Sequence, residues 1–193
     1  MDSPFIFDKS VTGRSFAGRR SDCNSLAGIV THGQNAVIWG PPKSGKMSVV
    51  RQTLFNLKTS GHNPILCEVD LMNVRKPELF LRRFAGSVIK AVATAPEEMA
   101  EISSTYLGGT SLVFDEGLYL ETGQLFQGSF PLSQEECREI IELPYRMAGL
   151  RNNDVIVVLR EFQNIDSEEG EKLFRTMQDV MLRHKDAPAP FCS

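Results

Sequence analysis

The stretch Gly40-Pro41-Pro42-Lys43-Ser44-Gly45-Lys46 decides how this sequence is interpreted. It follows the apolar run Ala36-Val37-Ile38-Trp39 directly and precedes a helical pattern over residues 47–57. A glycine, four intervening residues and Gly-Lys between a strand and a helix form the pattern of a phosphate-binding loop. The glycines let main-chain N–H groups turn toward phosphate oxygens, the lysine reaches the terminal phosphates, and the helix N-terminus adds partial positive charge. A plain glycine-rich turn is the weaker interpretation in this strand–loop–helix setting.

The residue after Lys46 departs from the pattern. A hydroxyl side chain is expected there because it binds Mg²⁺, but this chain has Met47, whose thioether is a poor ligand for a hard cation. Ser48 comes one position later, and an α-helix turns by about 100° per residue. We therefore expect the Ser48 hydroxyl to point elsewhere, so that residues 40–48 bind phosphate without supplying a metal ligand.

A hydrolytic site of this type also needs a buried strand that ends in Asp-Glu, where the aspartate supports Mg²⁺ and the glutamate orients water. Two segments compete for that place. Leu112-Val113-Phe114-Asp115-Glu116 has both carboxylates but only three apolar residues, in a region of alternating polarity. Val155-Ile156-Val157-Val158-Leu159 is the better strand, and Arg160-Glu161 follows it. We favour the second segment, which makes Glu161 the candidate catalytic residue and puts Arg160 in place of the aspartate.

Both positions that would hold Mg²⁺ are then substituted, one by Met47 and one by Arg160. Phosphoryl transfer depends on that metal for charge neutralisation, so we expect no metal site and no efficient hydrolysis. Arg160 has two interpretations. Its guanidinium offsets phosphate charge where Mg²⁺ would lie, or it makes an ion pair with a neighbouring carboxylate.

Strands that alternate with helices predict an α/β fold with a mainly parallel sheet. The continuous apolar runs at 36–39, 64–70 and 155–159 are typical of strands that are covered on both faces. Helices are predicted to begin near Met47, near Pro77, after a capping-box pattern at Ser133, and near Ser167. Residues 111–130 predict a hairpin outside the main sheet.

The composition excludes several classes of protein. With 193 residues, 41% of them hydrophobic, the chain is long enough for one domain with a real core. No stretch approaches the roughly 18 apolar residues of a membrane span, and a net charge of -3 disfavours a general nucleic-acid binder. Four scattered cysteines without a CxxC pair predict free thiols in a reducing cytoplasm, with no metal centre.

These motifs resemble the archaeal-type, AAA-like P-loop ATPases of the STAND class over nearly the whole chain. Residues 5–7, 11–13 and 16–19 resemble that family's N-terminal approach segment, here taken as residues 1–35, which lies near the adenine. Residues 40–48 are similar to its GPRRxGKTS loop, and Glu161-Phe162-Gln163 is similar to the tail of its DEFQ Walker B motif. The resemblance implies a three-layer P-loop sandwich in which residues 111–130 are a hairpin insertion.

The resemblance also implies that the sheet is incomplete at its C-terminal end. Pro190-Phe191-Cys192-Ser193 resembles the start of the family's next core strand, which lies between the loop strand and the Walker B strand. The strands and helical lid that follow in the family are then absent. We expect either a direct pairing of the two flanking strands or an open edge, and an open edge invites self-association or another chain.

Together these features predict a single domain over residues 1–193 that binds ATP or ADP in the cytoplasm, with weak or no Mg²⁺ binding and impaired hydrolysis. Two alternatives stay open: an interaction or remnant domain that binds no nucleotide, and an ATPase that is active only when another chain completes it. The basic cluster Arg14, Arg19 and Arg20 is interpreted as solvated surface more readily than as a phosphate contact.

Overall fold

The computed structural model describes residues 10–128, 132–165, 167–185 and 191–192. Within them lie seven α-helices, five β-strands and two short 3-10 helices, Gly13–Ser15 and Phe162–Asn164. The helices are α1 (Arg20–Thr31), α2 (Lys46–Thr59), α3 (Pro77–Val92), α4 (Pro96–Leu107), α5 (Glu116–Thr122), α6 (Gln134–Arg151) and α7 (Ser167–Arg183). The strands are β1 (Ile65–Asp70), β2 (Leu112–Phe114), β3 (Phe126–Gly128), β4 (Val155–Arg160) and β5 (Phe191–Cys192). None of the helices in these ranges has the length and apolar character needed to cross a membrane.

The main sheet is parallel and has the order β1-β4-β5. β1 pairs with β4 from Ile65↔Val155 to Asp70↔Arg160, and β5 pairs with β4 at Val157↔Phe191 and Val158↔Cys192. The α/β class and the parallel sheet predicted from the apolar runs at 64–70 and 155–159 are therefore confirmed. The short stretch 191–192 does extend the sheet, beside β4.

Helices cover both faces of this sheet. Val155, Val157 and Leu159 of β4 lie in one apolar cluster with residues of α3, α6 and α7. The alternate residues Ile156 and Val158 lie in a second cluster with α1 and α2. Because successive side chains of a strand point to opposite faces, an uninterrupted apolar run is what a strand between two cores requires.

The larger cluster is built on α3 and α6. α3 starts at Pro77 in its first turn and turns Phe80, Phe84 and Val88 toward the sheet, each fully buried. α6 begins with a complete capping box: the Ser133 hydroxyl accepts from the Glu136 N–H, and the Glu136 carboxylate accepts from the Ser133 N–H. Both helix starts were predicted from the sequence, because proline and the Ser-x-x-Glu pattern suit the free N–H groups of a first turn.

The expectation of a strand at Ala36–Trp39 is wrong. The structure has only an isolated bridge at Ala36, and the segment joins no strand of the three-stranded sheet. Ala36 and Ile38 pack on the α1–α2 cluster, whereas Val37 and Trp39 are 83% and 92% exposed. Only one side of the segment is covered, and β5 occupies the position beside β4. Of the two expected arrangements, direct pairing of the flanking strands is not found, and β5 forms the edge of the described sheet.

Sequence patterns also missed three helices and only partly described the 111–130 region. α1 lies inside the approach segment, α4 follows α3, and α5 lies between the antiparallel strands β2 and β3. Asp115 is the N-cap of α5, where its carboxylate accepts from the Leu118 N–H at 2.8 Å. Residues 129–130 of the predicted hairpin lie outside the described residues.

Glu136 ties α6 to the start of β2 and offers a test of the fold. Its carboxylate accepts from the N–H and hydroxyl of Ser111, at 2.6 and 2.5 Å, and from the Ser133 N–H at 2.6 Å. These hydrogen bonds, those from Ser111 first, lower the pKa of Glu136 from its ordinary 4.5 to about 2. A carboxyl with a lowered folded-state pKa stabilises the fold above its ordinary pKa and loses that contribution as pH falls toward the lowered value.

We expect Glu136→Gln to lower the free energy of unfolding by about 1–2 kcal/mol at pH 7. The difference from the unmodified chain should shrink between pH 4.5 and about 2, where the native carboxylate becomes protonated as well. Urea unfolding at a series of pH values measures it, with the exposed neighbour Glu135→Gln as the control. A deficit that stays constant down to pH 2 would contradict the assignment.

Candidate functional site

The candidate site begins at the loop 40–46, which enters α2 at Lys46. Lys43 and Gly45 have left-handed backbones, with φ of 60° and 80°, and the Ser44 N–H donates to the Pro41 carbonyl at 3.2 Å. Pro41 and Pro42 have no N–H to extend a strand ladder, and Gly45 carries no Cβ to strain its backbone. Left-handed residues that alternate with ordinary ones are a backbone pattern of anion-binding nests, and here the Ser44 N–H is bonded within the loop.

Lys46 folds back over this loop. Its ammonium donates to the Gly40 carbonyl at 2.7 Å and to the Pro41 carbonyl at 3.4 Å. A Cβ at Gly40 would come within 3.1 Å of the Ser44 hydroxyl, so the loop closes tightly at its base. The ammonium is therefore held at the loop by two main-chain carbonyl groups.

Neither residue after Lys46 offers a ligand for Mg²⁺. Met47 packs against the α1–α2 cluster. The Ser48 hydroxyl accepts a hydrogen bond from the Val11 N–H at 3.1 Å, and the side chain is buried. Ser48 thus holds the approach segment against α2. Its hydroxyl points away from the metal position, as predicted from the turn of the helix between residues 47 and 48.

The approach segment lies along α2 and borders a cavity. The Gly13 N–H donates to the Gln52 amide oxygen at 2.7 Å, and Arg51 donates to Ser10 and to both oxygens of Glu68. Beyond these contacts lies a cavity of about 420 Å³, lined by Phe16, Gly18, Asn24, Gln52 and Asn56, among others. The lining combines the Phe16 ring, the Arg20 guanidinium and three amide side chains, of which Gln52 donates to Asn56 at 2.8 Å. The predicted contribution of residues 5–7 lies outside the described residues.

Arg19 connects the approach segment to the loop. Its guanidinium donates to the Ser44 carbonyl at 2.8 Å and to the Asp22 carboxylate at 2.6 Å. Arg19 is exposed, as the interpretation of this basic cluster as solvated surface predicts, but its side chain also contacts the loop. Sequence reasoning missed the contact because Arg19 and Ser44 are 25 residues apart.

A second group of predicted residues lies at the carboxyl end of β4. Arg160 makes an ion pair with Asp70, its partner in the register, at 3.3 Å. The Asp70 carboxylate also accepts from the Met72 N–H at 2.9 Å. Of the two interpretations of Arg160, the structure has the ion pair, between side chains that are 37% and 49% exposed. Val69-Asp70-Leu71 resembles the end of the family's second strand, but Asp70 was not predicted to be the partner of Arg160.

Glu161 follows with a left-handed backbone, φ 58°, and accepts a hydrogen bond from Gln163 at 2.7 Å. Such a backbone is uncommon for a residue with a side chain and is found more often at functional sites. No hydrogen bond or ion pair joins Arg160 or Glu161 to the loop within the described parts of the chain. The structure thus groups the predicted residues into two sets, 40–48 at the start of α2 and 160–161 at the end of β4.

The other candidate groups are the competing Asp115-Glu116 pair, the possible metal ligands and the Cys67 thiol. Asp115 caps α5, so the competing Asp115-Glu116 pair does not form the end of a core strand. Among the residues that the structure describes, no group of three or more His, Cys, Asp or Glu side chains could hold a metal ion. Burial raises the pKa of the Cys67 thiol to about 12, which makes that thiol unreactive.

Two comparisons with known proteins bear on the family of this chain. No protein-family model matches it, and no curated protein matches it. The resemblance of residues 40–48 and 161–163 to an ATPase family stays a prediction from sequence motifs.

The backbone of Gly45 gives a direct test of the loop. Gly45→Ala meets no atom within 4 Å but places a Cβ on a φ of 80°, which costs about 1–2 kcal/mol. Gly28→Ala is the matched control, because Gly28 lies in α1 with open space around it. It should raise the free energy of unfolding by about 0.5–1 kcal/mol. Denaturant unfolding of both variants measures these opposite signs, and equal effects at the two glycines would argue against the left-handed loop.

Proposed function

We propose that this chain is a nucleotide-binding domain of the P-loop type, in which residues 40–46 and the start of α2 hold the phosphates of ATP or ADP. The observation that carries the proposal is the loop itself: a left-handed Lys43 and Gly45, the N-terminus of α2 and the Lys46 ammonium meet at one place. Inward N–H groups, a helix N-terminus and a cation are the three elements that bind phosphate in such loops. The helices on both faces of a parallel sheet fit the three-layer sandwich of this class.

Lys46 would carry the terminal phosphates. Its ammonium already lies over the loop, where two carbonyls satisfy it. A phosphate oxygen makes a stronger, charge-assisted hydrogen bond than a neutral carbonyl does. Exchange of one acceptor for the other therefore favours the bound state.

The cavity beside α2 would take the base and the ribose. A volume of about 420 Å³ lies within the range of small-molecule sites. Phe16 supplies a ring face for stacking, and Asn24 supplies an amide group that can bond the edge of a purine, whereas the Gln52 amide is engaged with Gly13 and Asn56. The cavity and the loop share α2, which begins at Lys46 and carries Gln52 and Asn56.

The residues present do not fit Mg²⁺. Met47 packs into an apolar cluster, the Ser48 hydroxyl bonds the Val11 N–H, and Arg160 puts a positive charge where an aspartate would be needed. We propose that the domain binds nucleotide without the metal and does not hydrolyse it efficiently, since phosphoryl transfer relies on metal ions for charge neutralisation. Glu161 alone, exposed and bonded to Gln163, does not replace that function.

A second candidate is a protein-interaction domain that binds no nucleotide. The specific observation in its favour is the extended segment 36–39, which exposes Val37 and Trp39 on one side. Exposed aromatic and branched side chains on a backbone outside the described sheets are features of surfaces that bind other chains. Failure of ATP and ADP to bind would favour this candidate.

The nucleotide proposal predicts ATP binding in EDTA that depends on Lys46. Lys46→Ala should weaken the affinity roughly ten- to a hundredfold, the effect of removing one charge-assisted hydrogen bond. Trp39 is the chain's one tryptophan and directly precedes Gly40, so its fluorescence reports on the loop, with calorimetry as a second measurement. Lys58→Ala, near the far end of the same helix, is the control and should bind as the unmodified chain does. Equal binding by both lysine variants would contradict the proposal.

The metal argument predicts a gain of function. Met47→Thr combined with Arg160→Asp should make ATP binding stronger in Mg²⁺ than in EDTA, whereas the unmodified chain should bind equally in both. Because the new carboxylate would then face Asp70 in the register, Arg160→Asp alone is needed as a control for lost stability. If the double variant folds but binds ATP equally in Mg²⁺ and in EDTA, Met47 and Arg160 do not explain the absence of a metal site.

A further inference from the structure

Arg19 is held between two acceptors at the N-terminus of α1. One guanidinium nitrogen, Nη1, donates to the Ser44 carbonyl at 2.8 Å, and Nε donates to the Asp22 carboxylate at 2.6 Å. Asp22 lies in the first turn of α1, so its position relative to Arg19 is set by the helix. The planar guanidinium can therefore satisfy both acceptors only in a narrow range of orientations.

The backbone at this point is unusual. Gly18 and Arg19 are consecutive left-handed residues, with φ of 73° and 52°, and Arg19 is the N-cap of α1. A left-handed residue with a side chain is costly and persists where surrounding contacts compensate for it. The contacts of Arg19 to Ser44 and Asp22 supply that compensation, and they direct the side chain toward the loop.

The peptide between Ser44 and Gly45 is the one that this contact controls. In a trans peptide the C=O and the following N–H point in opposite directions. A hydrogen bond that holds the Ser44 carbonyl toward Arg19 therefore holds the Gly45 N–H away from Arg19. The glycine at position 45 makes rotation of this peptide easy, because it accepts either sign of φ.

We propose that Arg19 is a positioning residue that fixes the 44–45 peptide and so orients the Gly45 N–H for a phosphate group. This inference rests on the proposed nucleotide-binding function of the same loop. Asp22 acts one step further away, by holding the guanidinium in place. Arg19 itself is not required to touch the ligand.

The test compares Arg19→Ala with Arg14→Ala, a control from the same basic cluster that lies in the short helix Gly13–Ser15. ATP and pyrophosphate are titrated in EDTA against each variant, with Trp39 fluorescence and calorimetry as readouts. Arg19→Ala should weaken both ligands by about tenfold, the effect of one charge-assisted hydrogen bond, and Arg14→Ala should leave both affinities unchanged. Because pyrophosphate has no base or ribose, its loss of affinity locates the effect at the loop.

Salt separates positioning from simple charge attraction. A direct attraction between an exposed guanidinium and phosphate is screened by salt, so its loss would matter less at about 0.5 M NaCl than at about 0.05 M. Positioning acts through a hydrogen bond to the neutral Ser44 carbonyl, so it predicts a fold-loss that persists at about 0.5 M NaCl. A loss that disappears at high salt, or an affinity of Arg19→Ala within twofold of the unmodified chain, would overturn the proposal.

A measurement on the ligand-free protein keeps this inference distinct from the proposed function. The amide resonance of Gly45 in a ¹H–¹⁵N spectrum should shift in Arg19→Ala and in Arg19→Asn, which retains a residue tolerant of left-handed backbone, but not in Arg14→Ala. If the unmodified chain binds neither ligand, the proposed function is wrong while the resonance still tests the orientation of the peptide. An unmoved Gly45 resonance in a folded Arg19 variant would overturn the positioning role.

Discussion

The burial of β4 on both faces is the constraint from which the other elements take their positions. Val155, Val157 and Leu159 require one apolar layer, and Ile156 and Val158 require another. α3, α6 and α7 supply the first layer, and α1 and α2 supply the second. Because α2 packs on this face of β4, the position of the loop that precedes it is fixed relative to the second apolar layer.

Under the proposed function, the site would bind phosphate but not a divalent metal. The left-handed loop residues and the Lys46 ammonium lie together at the start of α2. The positions that would bind a divalent metal carry Met47 and Arg160, and Arg160 is neutralised by Asp70. Main-chain binding depends on backbone shape and tolerates many side chains, whereas metal binding depends on particular oxygen ligands. Substitutions can therefore remove the second while the first stays intact.

Elements with strong local signals could be predicted, and those that depend on distant partners could not. Proline at position 77 and the Ser133–Glu136 box specify helix starts by satisfying first-turn N–H groups. α1 was not predicted from the sequence because it has only three buried residues, Cys23, Leu26 and Val30. Its N-cap, Arg19, also makes no side-chain capping hydrogen bond. The segment 36–39 has the composition of a strand, but composition does not supply a neighbour to pair with, and the structure leaves Trp39 exposed.

The sequence alone was enough to specify the α/β class, the burial of β4 on both faces and the presence of the Gly40–Lys46 motif. Each of these can be recognised from residues that are close together along the chain. The packing of the layers was needed to establish that Arg19 reaches Ser44 and that Arg160 pairs with Asp70, contacts that span 25 and 90 residues. The same packing leaves the segment 36–39 outside the three-stranded sheet of the described residues. Such contacts depend on how the layers stack, and local patterns contain no information about which distant residues the stacking brings together.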